Sequence, residues 1–236
     1  MPETALGFSG PRIEATLVRD ARDYHVREAA IVVNTGVTDV HIAETPRKSI
    51  PPLSSTILAD TRVERADTLL LLRVRDEAGM PGITGDPGWA LLGDVLAGFP
   101  RDTPLWKSPQ DDAGTVTFDA AHLLKEAPAP LRPETYDVKV NLWYAPAGTD
   151  CAIHNQHDFI EVHTQVHGIG RMQKFREQDH STLYQDVVMA PGYTTPDPFC
   201  STAPDGTYPY PWHQYRADTD CVWLAVEYHR RHTATH

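Results

Sequence analysis

The sequence predicts a mainly β protein, an antiparallel β-barrel or jelly roll with a few flanking helices. Three observations predict it. Twenty prolines and fifteen glycines cut the 236 residues into short runs. The runs between them are alternating, β-branched or aromatic. Helical periodicity is confined to two stretches. Strand-like runs in the first half are Ile13 to Val18, Ala29 to Asn34 and Thr68 to Val74. In the second half they are Tyr136 to Tyr144, Phe159 to Val166, Arg171 to Phe175, Leu183 to Met189 and Val222 to Tyr228. These last five, short and separated by turn residues, have the spacing of a small barrel.

The helical stretches are few. Gly88 to Phe99 places Leu91, Leu92, Val95, Leu96 and Phe99 on one face, and Asp119 is an acidic N-cap for a short helix through Lys125. The stretch Glu126 to Glu134 carries three prolines in nine residues and cannot be a central strand. It sets a boundary near 135, with a β-rich region and short helices over 1–135 and the barrel domain over 136–236. Arg65-Ala-Asp-Thr and Arg216-Ala-Asp-Thr, each read as a turn entering an apolar strand, form an internal echo. The first region is therefore expected either to flank the barrel or to be a degenerate repeat of it whose site has been lost.

Composition bounds the function. A formal net charge of -11 argues against a phosphate-backbone partner and against an anionic membrane surface. The N-terminal residues lack a basic start followed by an apolar run, and no segment approaches a membrane span, so a soluble, cytoplasmic protein is expected. Cys151, Cys200 and Cys221 are an odd number without paired spacing, read as reduced thiols. Neither a G-x-G-x-x-G nor a P-loop pattern occurs, and G-x-S-x-G and C-x-x-C pairs are missing too.

What stands out is histidine. Six of the twelve lie between 154 and 213, and Gly148 to Gly168 reads GTDCAIHNQHDFIEVHTQVHG. Imidazole with carboxylate suits a transition metal or zinc, whereas calcium or magnesium sites are built mainly from oxygen. On a regular strand Phe159, Glu161, His163, Gln165 and His167 share one face, and Ile160, Val162, Thr164 and Val166 share the other. A strand packed on one side and polar on the other fits a barrel that encloses a polar site.

The same passage resembles the first conserved motif of the cupin superfamily, G-x5-H-x-H-x3/4-E-x6-G. Gly148, His154, His157, Glu161 and Gly168 meet every interval except that between the histidines, where this chain has two residues, Asn155 and Gln156, and the family one. PYPWHQYRADTDCVWLAVE, with His213 after Pro211, is similar to the second motif without its preceding glycine, and the resemblance covers about the last 100 residues. It implies one divalent metal, Fe(II) first, with Zn, Mn or Ni as alternatives, held by His154, His157, Glu161 and His213 with one or two positions left for water or substrate. It also implies a homodimer.

Residues three apart on a regular strand face opposite ways, so a bulge or turn must re-aim one of the two histidines, or only one is a ligand. His157, Glu161 and His213 rank first and His154 behind them, and the four-residue interval would put Gln156 in the second slot. His163, two residues beyond Glu161, is the candidate acid or base, with a hydrogen-bonded barrel histidine as the alternative. Gln173, Trp212 and Tyr215 are candidate substrate contacts on the pocket wall, and Trp212 and Tyr215 could equally be core. His180 and the tail HRRHTATH read as solvated. Pro191 to Tyr210, long for a hairpin, is a candidate loop over the mouth. A small-molecule substrate is expected, and three functions follow from the resemblance: an iron oxygenase or dioxygenase, a Lewis-acid isomerase, epimerase or lyase, and a non-catalytic binding module.

Overall fold

The computed structural model describes residues 3–126, 131–195 and 198–231. Residues 127–130 of the proline-rich connection, 196–197 of the long loop and 232–236 of the tail lie outside it. The protein is mainly β, and every strand pairing is antiparallel.

The first seven strands make one sheet: β1 (Glu3–Ala5), β2 (Ile13–Val26), β3 (Ala30–Asn34), β4 (Val40–Ile42), β5 (Lys48–Ile50), β6 (Ser55–Leu58) and β7 (Thr61–Val74). Its backbone is the long β2–β7 pair, with β3 on the far side of β7. A second, six-stranded sheet contains β8 (Ala90–Leu91), β9 (Trp106–Lys107), β10 (Asp111–Phe118), β11 (Glu134–Ala145), β12 (Ile160–His167) and β16 (Cys221–Arg230). The third is three-stranded: β13 (Gly170–Phe175), β14 (Leu183–Met189) and β15 (Trp212–Ala217), in the order β14-β13-β15.

The six-stranded sheet is the middle layer. One face packs Val138, Val140, Leu142, Ile160, Val162, Leu224, Val226 and Tyr228 against Ile13, Leu17, Ile31, Leu70 and Leu72 of the first sheet. Its other face meets the three-stranded sheet, where Trp223 and Cys221 join Met172, Tyr215 and Ala217. Leu92 and Leu105, from the segment between β8 and β9, close this second core at one end. A third, wholly aliphatic and aromatic cluster fills the outer side of the first sheet around Val32, Val63, Leu69 and Leu71.

The predicted strands all form, but the predicted helix over 88–99 does not. Only α1 (Leu92–Val95) is helical there, and Val95 and Leu96 stay 62% and 51% exposed. The Leu92 amide donates to the Leu105 carbonyl and β8 pairs with β9, so the backbone is drawn into the sheet edge. Gly93 lies so close to Arg101 that a Cβ would stand 2.6 Å from its Cα, and Gly98 turns the chain at φ +86. The second helix does form, as α2 (Ala120–Leu123), with the Asp119 carboxylate accepting from the His122 amide.

The internal echo also resolves differently in its two places. Arg216-Ala-Asp-Thr crosses from β15 into the turn before β16, whereas Arg65-Ala-Asp-Thr lies inside β7, paired to β2 at Ala66 and Thr68. Strand β10, from before the proline-rich stretch, pairs along most of β11 beyond it, and one core runs through both stretches of chain. No helix among the described residues is long and apolar enough to cross a membrane.

Leu224 is fully buried on the face toward the first sheet. Leu224→Ala is expected to cost about 2–5 kcal/mol, read as a lower denaturant midpoint at unchanged slope. Metal content should be normal, because the substitution lies on the opposite face from the histidines.

Candidate metal centre

Strand β12 is covered on both sides, with Ile160 through Val166 all buried. Its apolar face joins the main core, and Glu161, His163 and Gln165 face the three-stranded sheet with their cross-strand partners Glu227, Ala225 and Trp223. Tyr210 fixes where β12 begins. Its hydroxyl donates to the Phe159 carbonyl at 3.0 Å and accepts from the Glu161 amide at 3.0 Å.

His154 is brought in by a bulge. Residues 150–154 run beside β15, with Asp150 opposite Arg216 and His154 opposite His213. Five residues thus oppose four, and Ala152 takes up the extra residue at φ +67. In a regular strand Asp150 and His154 would share a face. Here Asp150 turns to the Arg216 side and His154 turns inward beside His213, tied by reciprocal backbone hydrogen bonds of 2.9 Å. The extra residue between the histidines is accommodated in the same way: His157 lies in the irregular passage before β12, free of strand alternation.

Three imidazoles therefore converge. A ligand nitrogen from each of His154, His157 and His213 lies within 4.8 Å of the other two. Nε2 of His157 is 3.2 Å from Nε2 of His213 and 3.4 Å from Oε1 of Glu161. Two donors about 2.1 Å from one ion at roughly right-angled to tetrahedral spacing stand about 3.0–3.4 Å apart. Both measured separations fit adjacent ligands. Glu161 approaches His157 and lies outside the tighter three-histidine group. His154 Nδ1 faces the Ala152 carbonyl at 3.0 Å and His213 Nδ1 the Pro211 carbonyl at 2.9 Å. Each Nδ1–H donates to its carbonyl, which leaves Nε2 as a lone pair, the arrangement of metal-bound histidines. The residues fit a divalent ion.

Burial sets the charge state. It holds His154 below the usual imidazole range, takes His157 and His163 down to about 3 and His213 to about 2. Burial pushes Glu161 the other way, to about 8, helped by Glu227 across the ladder. Glu227 is itself held by Gln110 Nε2 at 2.8 Å and by His229 Nε2 at 2.8 Å. Asn141, with its amide turned to donate to Glu227 at 3.1 Å, accepts from the Trp143 indole. The buried imidazoles are already neutral, with lone pairs to offer, and the buried carboxyl is the group with a proton to give up to a cation.

Other predicted site residues divide. Tyr215 faces inward with His213, its ring 4.3 Å from that of His163. Its hydroxyl leans on Thr195 without closing a well-formed hydrogen bond, and His163 Nδ1 is likewise buried without a partner. Gln173 and Trp212 are placed elsewhere. Strand alternation puts Gln173 with Gln214, to which it is bonded at 2.9 Å, and Trp212 with Phe175, on the face of the three-stranded sheet opposite His213. Gln156 is exposed. His229, expected to be solvated, stacks on Phe159 at 4.5 Å besides binding Glu227. His180 is exposed. Sequence reasoning missed Phe199 and Tyr210, which pack against His213 and His157 at 4.8 and 4.6 Å, and the Glu227 cradle. Glu227 was legible only as a charge inside an apolar strand.

The structure brings together, in a mainly antiparallel β fold, the histidines and carboxylate on which the resemblance to the cupin motifs rests. No protein-family model and no curated protein matches the chain. Among solved structures it is similar to oxalate decarboxylase from Bacillus subtilis, at 12% identity over 95% of this chain and 71% of that chain, with a TM-score of 0.30. Another structure of that enzyme, concerned with its Mn(II) centres, covers 98% of this chain and 73% of that one at 12% identity, TM-score 0.31. A cupin 2 conserved barrel domain protein from Leptotrichia buccalis is 10% identical over 96% of this chain and 88% of that chain, TM-score 0.30. TM-scores this low leave the chemistry to be read from the site itself.

Removing a ligand removes a bond nothing else replaces, so His157→Ala and His213→Ala should each lose most of the bound metal. His154→Ala should lose metal as well, and Glu161→Ala should weaken binding; elemental analysis of the purified variants checks all four. The metal-free protein should be acid-sensitive. Its imidazoles have folded-state pKa values below the unfolded 6.5, so their stabilisation is present above 6.5 and lost as pH falls toward 3. Glu161 has the opposite sense, its contribution full below 4.5 and lost as pH rises through about 8. Melting temperatures in chelator should fall more steeply on the acid side, where several imidazoles act against one carboxyl.

Proposed function

We propose that the protein is a metal-dependent enzyme of the cupin type acting on a small polar metabolite, with one divalent ion held by His154, His157, His213 and Glu161. The observation that carries this reading is the convergence of three imidazoles, two of them oriented by Nδ1–H donation to backbone carbonyls. Iron(II) and an oxygenase reaction are the preferred form, since imidazole with one carboxylate and open positions is a ligand set of non-heme iron oxygenases. The ion would supply redox or Lewis-acid chemistry at its open positions.

The chain's own residues do the rest. Phe159, Phe199 and Tyr210 crowd the histidines and exclude water from that side. Glu161 balances part of the cation's charge, and Gln110, Asn141 and His229 keep Glu227 in place beneath it. His163, neutral and with Nδ1 unpartnered, is placed to take or give a proton, and Tyr215 stacks against its ring. That buried pair supports a second reading, a Lewis-acid isomerase or lyase with manganese, zinc or nickel, in which His163 moves the substrate proton.

Iron-loaded protein incubated with pools of small metabolites should consume oxygen, and turnover under anaerobic conditions would assign the second reading instead. In either case His163→Ala should keep near-normal metal content while turnover falls on the order of 10²- to 10⁴-fold.

A further inference from the structure

Residues 199–210 run past the metal centre as a strap whose backbone hydrogen bonds close on the segment itself. The Ser201 amide donates to the Pro209 carbonyl at 3.0 Å, Ala203 to Thr207 at 3.0 Å and Gly206 to Ala203 at 2.8 Å. Ties to the rest of the fold go through side chains. At the C-terminal end Tyr208 and Tyr210 are buried. The Tyr208 hydroxyl meets that of Tyr136 at 2.9 Å and accepts from Arg230 at 2.7 Å, and Tyr210 holds the start of β12. At the other end Phe199 stands edge-on to His213 and to Tyr210, and Cys200 bonds to the Tyr210 hydroxyl. Residues 201–207, between these ends, are exposed or half-buried. There the Glu126 carboxylate accepts from the Thr202 amide at 2.6 Å and from the Thr202 hydroxyl. The end of α2 sets Glu126 in place: Lys125 takes φ +58, and the Glu126 amide returns to the Ala121 carbonyl at 2.9 Å.

We propose that Glu126 is a positioning residue of the metal centre, a latch that grips Thr202 and so keeps Phe199 seated against His213. Its release lets residues 199–207 swing clear and opens a way to the ion, while Tyr208 and Tyr210 stay in place as the fixed end. A segment without ladder bonds to a sheet opens at far lower cost than a core strand. Its closed form therefore depends on a few side-chain contacts, and two charge-assisted hydrogen bonds on one carboxylate favour it by on the order of 10- to 100-fold. The proposal rests on the metal-centre reading above and adds to it how the centre is reached.

Two measurements on the full-length protein test it. Hydrogen–deuterium exchange of the metal-free form should rise in Glu126→Ala at amides 199–207, by about 10- to 100-fold, with β12 and β16 protected as in wild type. Thr202→Val, which removes the hydroxyl and keeps the amide, should give a smaller rise. In the Co(II)-loaded form, Glu126→Ala should release metal to excess EDTA faster by a similar factor, with an unchanged cobalt visible spectrum. The double variant should be no faster than Glu126→Ala alone, because the two residues make one contact.

Unchanged exchange at 199–207 in both single variants would overturn the latch. Faster exchange with unchanged release to EDTA would overturn its control of access. An altered cobalt spectrum, or lost protection in β12, would make Glu126 a support of the centre's structure and overturn its role as a latch. Failure of wild type to take up Co(II) would overturn the metal-centre reading, and the access role with it. Exchange at the strap is read without metal, so that failure is told apart from failure of the latch.

Discussion

Strand β12 has no solvent to turn to. It lies between two other layers, so each of its faces must be either packed or chemically satisfied. Ile160, Val162 and Val166 solve one side by ordinary burial. The other side carries Glu161, His163 and Gln165 into the interior, at 5%, 7% and 0% exposure. Leaving such groups buried costs free energy unless something takes up their hydrogen-bonding capacity or charge. Much of the surrounding arrangement answers that demand: the convergence of His154, His157 and His213, the Tyr210 tether and the cradle that holds Glu227.

The demand also explains why the pKa values diverge. Burial makes neutrality the low-energy state of both imidazole and carboxyl, lowering the histidines and raising Glu161. A bound cation reverses the balance only for the carboxyl, since neutral imidazole is already the ligand form. A cation bound here would therefore favour loss of the Glu161 proton and take none from the histidines. His163 and Tyr215, one layer deeper, keep unsatisfied polar atoms that no ladder bond consumes. Unspent capacity in a buried place is what a substrate contact requires.

Legibility followed from period. β12, β13, β14 and β16 could be read within a residue or so because alternation and turn residues agree there. The candidate ligands could be named because their intervals were conspicuous, but the manner of their meeting could not. The sequence gives no sign that Ala152 would adopt a positive φ, and on that bulge the inward turn of His154 depends. Gln173 and Trp212 were misplaced for a related reason. Face assignment on β13 and β15 needs the register against a partner strand, which a single chain does not disclose. The helix over 88–99 failed where tertiary pairing of β8 with β9 overrode a local apolar period.

The first sheet shows that layering alone does not create a site. β7 is sandwiched as β12 is, with Leu70 and Leu72 in the main core and Leu69 and Leu71 in the outer one. Because residues 69–72 are leucine on both faces, the space beside them fills with apolar side chains. β12 differs at Glu161, His163 and Gln165 on one face, while Thr164 on the other is satisfied by Thr194. Substituting polar groups along one face of a doubly buried strand converts a packed layer into a place that has to be filled by chemistry, and three converging imidazoles are how this chain fills it.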